Sequence, residues 1–293
     1  MSRELNIVVF GSTGMLGSDL IELFNYEKDI HVRGYVHREC DISDMSDVEN
    51  VLGNTGNSIT HCINCSAFTD VDACESNPDR AYKVNAFGPK NLAEVCFKEQ
   101  IHLTHISTDY VFEGLKKEPY LEQDETTPLS VYGRTKLEGE GPVRALGNKG
   151  LVIRTAWLYG KHRKNFVDTI HSKLDLGVDV KTVDDQFGSP TYTMDLSNAI
   201  IQLVIGNKSG LFHVVNSGSC SWYQFALKIA EFTKLKEKHL IPISMNDLER
   251  KANRPKYSVL STNRLDRTLP EPIRSWENGL YQYLLETKRV YEF

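Results

Sequence analysis

The sequence predicts an α/β protein, a doubly wound parallel sheet carrying a smaller α/β lobe. Three observations predict it. Short apolar runs alternate with longer amphipathic segments through the first 110 residues, the rhythm of consecutive βα units. Gly11, Gly14 and Gly17 stand directly after the first apolar run and open the first amphipathic segment. Beyond about residue 157 the rhythm loosens, with Gly, Pro and charged turns around 160–164, 184–190 and 206–210, so a second lobe begins there.

Taken in order, Leu5 to Phe10 is the first strand and Met15 to Phe24 a helix. Ile30 to Val36 is the second strand, Met45 to Leu52 a helix and Ile59 to Cys65 the third strand. Asp79 to Glu99 reads as one long helix or two abutting ones, with Ala81, Val84, Leu92, Val95 and Cys96 as the apolar stripe. Leu103 to Ser107 is the next buried strand, followed by a polar loop with Pro119 and Pro128, a helix over Tyr132 to Leu146 and a strand over Leu151 to Thr155. Residues 1–156 form the first unit, with segments near 180–215 returning to it, and residues 157–293 form mainly the second lobe. No repeat, low-complexity tract or flexible linker separates them, so the lobes share an interface and enclose a cleft. The stretch Ile273 to Thr287, with Trp276, Leu280, Tyr283 and Leu284 on one stripe, reads as packing within that lobe.

The chain has 293 residues, 40% hydrophobic and 25% charged, which excludes disorder, collagen-like sequence and coiled coil. Against 34 basic residues stand 39 acidic ones, and no basic cluster tracks a polyanion, so nucleic acid is not an expected partner. No run approaches the roughly 18 apolar residues of a membrane span, and the start runs straight into a strand pattern rather than a signal peptide; no membrane partner and a cytoplasmic location are expected. Six cysteines in a chain of this length make no disulfide framework. Cys62 and Cys65 have redox-like spacing but lie in an apolar strand-like stretch without a second Cys or His pair, so no metal site is assigned.

Gly11-Ser12-Thr13-Gly14-Met15-Leu16-Gly17 lies between a strand and a helix, the setting in which glycines admit a pyrophosphate to helix N-terminal N–H groups. This is a Rossmann-type dinucleotide site, and its GxxGxxG spacing resembles the extended short-chain dehydrogenase/reductase group. No carboxylate ends the second strand, which reads Arg33-Gly34-Tyr35-Val36-His37-Arg38. Gly34 leaves room there, and Arg33, His37 or Arg38 could neutralise a 2′-phosphate, which favours NADPH while leaving NADH open. Asp41-Ile42 begins the next loop, where the acid could cap a helix or touch the adenine.

Tyr132-Gly-Arg-Thr-Lys136 puts a phenol and an ammonium on one helix face. A nearby ammonium favours the phenolate, so Lys136 is expected to lower the Tyr132 pKa and ready it for proton exchange with a substrate oxygen. A strand ends some 25 residues earlier in Ser107-Thr108-Asp109, where a hydroxyl faces the cofactor crevice.

Ser107 to Gly114, Pro128 to Glu140, Arg154 to Tyr159 and Asp185 to Thr191, in that order, resemble the dTDP-4-dehydrorhamnose reductase family; Gly210 to Asn216 and Arg254 to Thr262 extend the resemblance over nearly the whole chain. The resemblance implies hydride transfer from a nicotinamide to the C4 ketone of a nucleoside-diphosphate 4-keto-6-deoxyhexose. It further implies that Gly14 to Leu16, Asp41, Ile42, Ala67, Phe68 and Thr69 line the dinucleotide, while Thr108, Asp109, Tyr132 and Trp157 meet the sugar nucleotide. Tyr132 would protonate the developing alkoxide, with Lys136 holding the nicotinamide ribose and Thr108 hydrogen-bonding the carbonyl or the phenol. Asn165, Arg254 and Lys256 are candidates for the diphosphate. A neighbouring family that also epimerises C3 and C5 carries Cys where this chain has Asp109, so a separate 3,5-epimerase is expected upstream. The dTDP or UDP base, monomer or homodimer, and the Mg dependence seen in some members stay open. The regulatory subunit of methionine adenosyltransferase resembles the same reductases, and the segment Asp184 to Thr191 together with Thr108 favours the reductase over it; other nucleotide-sugar epimerases and dehydratases also share the fold, and the single Asp109 beside Thr108 leaves the dehydratase reading open.

Overall fold

The computed structural model describes residues 4–53 and 59–290. Five strands follow the expected order: β1 (Leu5–Phe10), β2 (Ile30–Tyr35), β3 (His61–Asn64), β4 (His102–Thr108) and β5 (Gly150–Thr155). With Gly210–His213 they make a six-stranded sheet, ordered Gly210–His213, β5, β4, β3, β1, β2, in which every pairing is parallel. The order reverses between β1 and β3, and at such a switch point a crevice opens past the carboxyl ends of the strands.

Alternation along β1 divides the core between the two faces. Ile7 and Val9 join Leu16, Leu20, Phe24, Leu196 and Ile200 on one side; Val8 and Phe10 join Val48, Leu92, Val95 and Val143 on the other. Both faces are covered by helices, so the strands read as continuous apolar runs. Helix Thr193–Ile205 and strand Gly210–His213 therefore belong to the sheet layer, although they follow the start of the second lobe in sequence. The lobe has its own core, where Tyr159, Ile170, Tyr192, Phe225, Ile229, Trp276, Leu280 and Tyr283 pack together.

Most elements fall within a residue or two of the sequence reading. The stretch Asp79 to Glu99 differs: Pro78–Tyr82 is α-helical, Lys83–Phe87 is a π-helical turn, and Gly88–Lys98 is α-helical again. Pro89 has no N–H for the Asn85 carbonyl four residues back, and the turn widens there. Asn85, buried in the widened turn, receives the Phe68 N–H on its Oδ1 at 2.8 Å and donates its Nδ2 to the Phe68 carbonyl at 3.0 Å. The loop after β3 is thus held from outside the sheet. Among the described residues no helix is long and apolar enough to cross a membrane.

Candidate active site

The glycine loop closes the bottom of the crevice. Gly11 has φ +76°, and a Cβ on Gly17 would lie 2.3 Å from the Gly11 carbonyl oxygen, so the loop and the first helix touch backbone to backbone. Gly14 caps helix Met15–Phe24 without a side-chain hydrogen bond, which leaves the first-turn N–H groups facing the cleft. The room expected beside Gly34 is already taken: a Cβ there would meet the Ser12 Cβ at 2.5 Å. Gly34 therefore serves the packing of β2 against the glycine loop.

Above the loop lies a cleft of about 660 Å³. Gly14, Met15, Leu16, Gly17, Ala67, Thr69, Thr108, Asp109, Tyr132, Lys136 and Trp157 all line it. Helix Val131–Arg144 presents Tyr132 and Lys136 one turn apart, and the Ser130 hydroxyl fixes its start by accepting the Gly133 N–H at 3.1 Å. Burial of the phenol, which packs edge-on against Tyr110 with ring centroids 5.9 Å apart, pushes the Tyr132 pKa up, and the Thr108 hydroxyl opposes the shift. The expected lowering is not present. Desolvation sets the direction for Tyr132, and Lys136 one turn on is itself buried, its pKa pushed down to about 8.

At the end of β4, the Thr108 hydroxyl donates to Asp109 Oδ1 at 3.1 Å and accepts the Tyr110 N–H at 3.2 Å. The Ser258 hydroxyl donates to Asp109 Oδ2 at 2.5 Å. Burial raises the Asp109 carboxyl to about 7 in spite of those two hydroxyls. The cleft thus holds a phenol and a carboxyl whose protonated forms burial favours, next to an amine whose hold on its proton burial weakens.

The description "RmlD substrate binding domain" fits residues 5–289 of this chain. A dTDP-4-dehydrorhamnose reductase from Mycolicibacterium smegmatis is 39% identical over 277 residues, covering 94% of this chain and 83% of its own. A dTDP-4-keto-6-deoxy-D-glucose reductase from Streptomyces niveus is 36% identical over 276 residues, covering 94% and 95%. The solved structure of dTDP-4-dehydrorhamnose reductase from Bacillus anthracis, in complex with NADP, superposes with a TM-score of 0.91 at 36% identity, over 97% of this chain and 99% of the other. The chain belongs to the dTDP-4-dehydrorhamnose reductase family. It is an oxidoreductase of the NADP-dependent kind with a Rossmann-type fold.

Within this family member, the remaining predicted residues fall outside the cleft lining. Gly11, Thr13 and Phe68 adjoin lining residues in sequence without lining it themselves, Thr13 being exposed, and Arg38 is exposed past the end of β2. Asp41 Oδ1 accepts both the N–H and the hydroxyl of Ser43, at 3.0 and 2.6 Å, while buried Ile42 packs under the helix that starts at Gly88. Arg254 pairs with Asp72 at 2.9 Å and lines a neighbouring hollow of about 230 Å³ with Tyr110, Gln186, Trp222 and Arg250. Trp157 has φ +48° and stacks on Trp222 at 3.6 Å and 7°, which makes the indole pair the wall between hollow and cleft. Asn165 is used differently from its expected role. It caps helix Phe166–Asp175, accepting the Asp168 N–H at 3.1 Å and donating to the Gly160 carbonyl at 2.9 Å and the Tyr283 hydroxyl at 3.0 Å. Little of its amide is left for a diphosphate.

Sequence reasoning missed Arg163, Lys164 and Ser258. Arg163 donates to the Thr13 carbonyl through Nε and Nη2, at 3.2 and 3.0 Å, and lines the cleft beside Lys164. Basic residues next to a loop glycine give the only local hint. Ser258 has none: it reaches Asp109 from 149 positions away. Cys62 and Cys65 are held protonated by burial, Cys65 at about 12.

Proposed function

We propose that this chain reduces the C4 ketone of a dTDP-linked 4-keto-6-deoxyhexose with NADPH, yielding dTDP-L-rhamnose from the 4-dehydrorhamnose sugar. The observation that carries the reading is the convergence of Thr108, Tyr132 and Lys136 on one cleft above an uncapped glycine-loop helix. The glycine loop, packed backbone to backbone and leading into a helix N-terminus without a side-chain cap, fits a pyrophosphate, and Arg33 and Arg38 near the end of β2 fit a 2′-phosphate. When bound, the reduced nicotinamide supplies the hydride.

The protein supplies the proton and the alignment. Tyr132, held protonated by burial, is in the state a donor to a developing alkoxide requires. Lys136 stands one helical turn away to hold the nicotinamide ribose, and Thr108 to align the carbonyl. Arg254, Arg250 and the indole of Trp222, on which Trp157 stacks from the cleft side, line the adjoining hollow, where a diphosphate and base would extend. The base is assigned as thymine on the names of the relatives. Residues 157–293, apart from the helix and strand that return to the sheet, are assigned as the substrate-binding lobe. A separate 3,5-epimerase supplies the substrate, since Asp109 replaces the cysteine of the bifunctional family, and a cytoplasmic location belongs to the same proposal.

NADPH absorbance, followed with dTDP-4-keto-6-deoxyglucose in the presence and absence of an added 3,5-epimerase, tests the reading. Consumption that requires the epimerase, and that falls a hundredfold or more, on the order of a lost general acid, in Tyr132→Phe, is expected. Consumption without epimerase moves the substrate to the D-gluco sugar named for the Streptomyces relative. Tight NADPH binding with no turnover on either sugar refutes the reductase and favours the regulatory-subunit reading.

A further inference from the structure

Lys136 has a neighbour that faces away from solvent. His105 lies inside β4, fully buried between β3 and β5, three residues before Thr108. Its Nε2 lies 3.3 Å from Lys136 Nζ and its Nδ1 lies 3.1 Å from Asn64 Nδ2. The Asn64 amide has a settled orientation, because its Oδ1 accepts the Ser66 N–H at 3.0 Å. Asn64 Nδ2 can therefore only donate to His105 Nδ1. A neutral imidazole whose Nδ1 accepts carries its proton on Nε2, and that N–H points at Lys136.

An ammonium has no lone pair to accept it; a neutral amine does. The amine also donates to the Ile106 carbonyl at 2.5 Å, an arrangement compatible with accepting from His105. We propose that His105 is a positioning residue for Lys136, presenting Nε2–H to the amine and favouring its uncharged form. Asn64 sets the tautomer that makes this so. The inference rests on the dinucleotide assignment above but not on the identity of the sugar.

The other titratable groups around the amine are Glu140, which favours the charge, and Tyr132, both on its own helix, together with Cys65 past β3. Burial, and the charge of Lys136 in its ammonium form, hold His105 itself well below its ordinary value, so the imidazole stays neutral while Lys136 titrates.

NADPH affinity measured by nucleotide fluorescence between about pH 7 and about pH 10 reads the amine directly, because the ammonium is the form that holds the ribose hydroxyls. In the unaltered chain affinity falls as Lys136 loses its proton. In His105→Leu the donor is gone, and the midpoint is expected to rise by about one unit, a tenfold change in the amine–ammonium ratio. Asn64→Leu frees the imidazole to move its proton to Nδ1 and offer Nε2 as an acceptor, so its midpoint should rise as well. Binding that persists in either folded variant with an unmoved midpoint overturns the proposal. A Lys136→Met control that retains the same pH dependence also overturns it, since another group is then being read. Failure of NADPH to bind the unaltered chain overturns the cofactor assignment instead.

Discussion

Glu140→Gln isolates one buried charge behind Ser107, a residue that lines the active-site cleft. Glu140 and Arg154 are each 1% exposed and paired through two contacts, Nε to Oε1 at 2.9 Å and Nη2 to Oε2 at 2.7 Å. The Ser107 hydroxyl adds a third bond to Oε1 at 2.6 Å, while Arg154 Nη1 has no hydrogen-bond partner among the described residues. Glutamine keeps the shape but removes the charge, and its amide N–H₂ must face a guanidinium N–H or turn an oxygen away from Ser107. An uncompensated buried guanidinium costs about 3–5 kcal/mol. Since unfolding entropy scales with length at about 2 cal/mol/K per residue, the melting temperature of a chain this size should fall by roughly 5–8 °C. Urea titration and thermal circular dichroism measure it. The double variant Glu140→Leu with Arg154→Met removes both charges and should recover most of that loss. A Glu140→Gln cost below about 1 kcal/mol, with the double variant no better, would refute the buried-pair argument. Because Glu140 favours the Lys136 ammonium, the same variant should lower the pH at which NADPH affinity falls.

Asp109 carries a pH signature of its own. Its folded value of about 7 lies above the ordinary unfolded value of about 3.9, so its protonated form favours the fold and stability is lost as pH rises from about 4 through about 7. Asp109→Asn should lack this loss and gain a few kcal/mol relative to the unaltered chain between pH 5 and pH 8, order of magnitude, by urea midpoint; a pH-independent difference would count against it. Gly17→Ala places a methyl 2.3 Å from the Gly11 carbonyl oxygen, and NADPH affinity should drop at least about tenfold in a chain that still folds. An unchanged dissociation constant would mean that the loop can yield. Asn165→Ala should cost about 1–2 kcal/mol of stability through the lost cap and leave KM for the sugar nucleotide within about twofold. A large KM increase without destabilisation would restore Asn165 to the substrate site.

Local chemistry and period determined much of this protein. Strands β1 to β5, the glycine loop and the helical placement of Tyr132 and Lys136 follow from alternation, from glycine positions and from i,i+4 spacing, each contained within about ten residues. The same signals placed the cleft at the strand ends, because a parallel sheet with one order reversal has one such crevice. Tertiary structure alone decided which charges and protons the cleft contains. Burial, a property of neighbours from every part of the chain, raised Tyr132 against the reading from the adjacent lysine, and it raised Asp109 as well. Arg163 meets Thr13 across 150 positions, Ser258 meets Asp109 across 149, and Asn64 meets His105 across 41. Such contacts leave no periodic trace, since a hydrogen bond between distant segments constrains one side chain in each and nothing between them. Asn165 shows the converse. Its identity suited a phosphate ligand and a helix cap equally well, and only the packing of Gly160 and Tyr283 around its amide made it the cap.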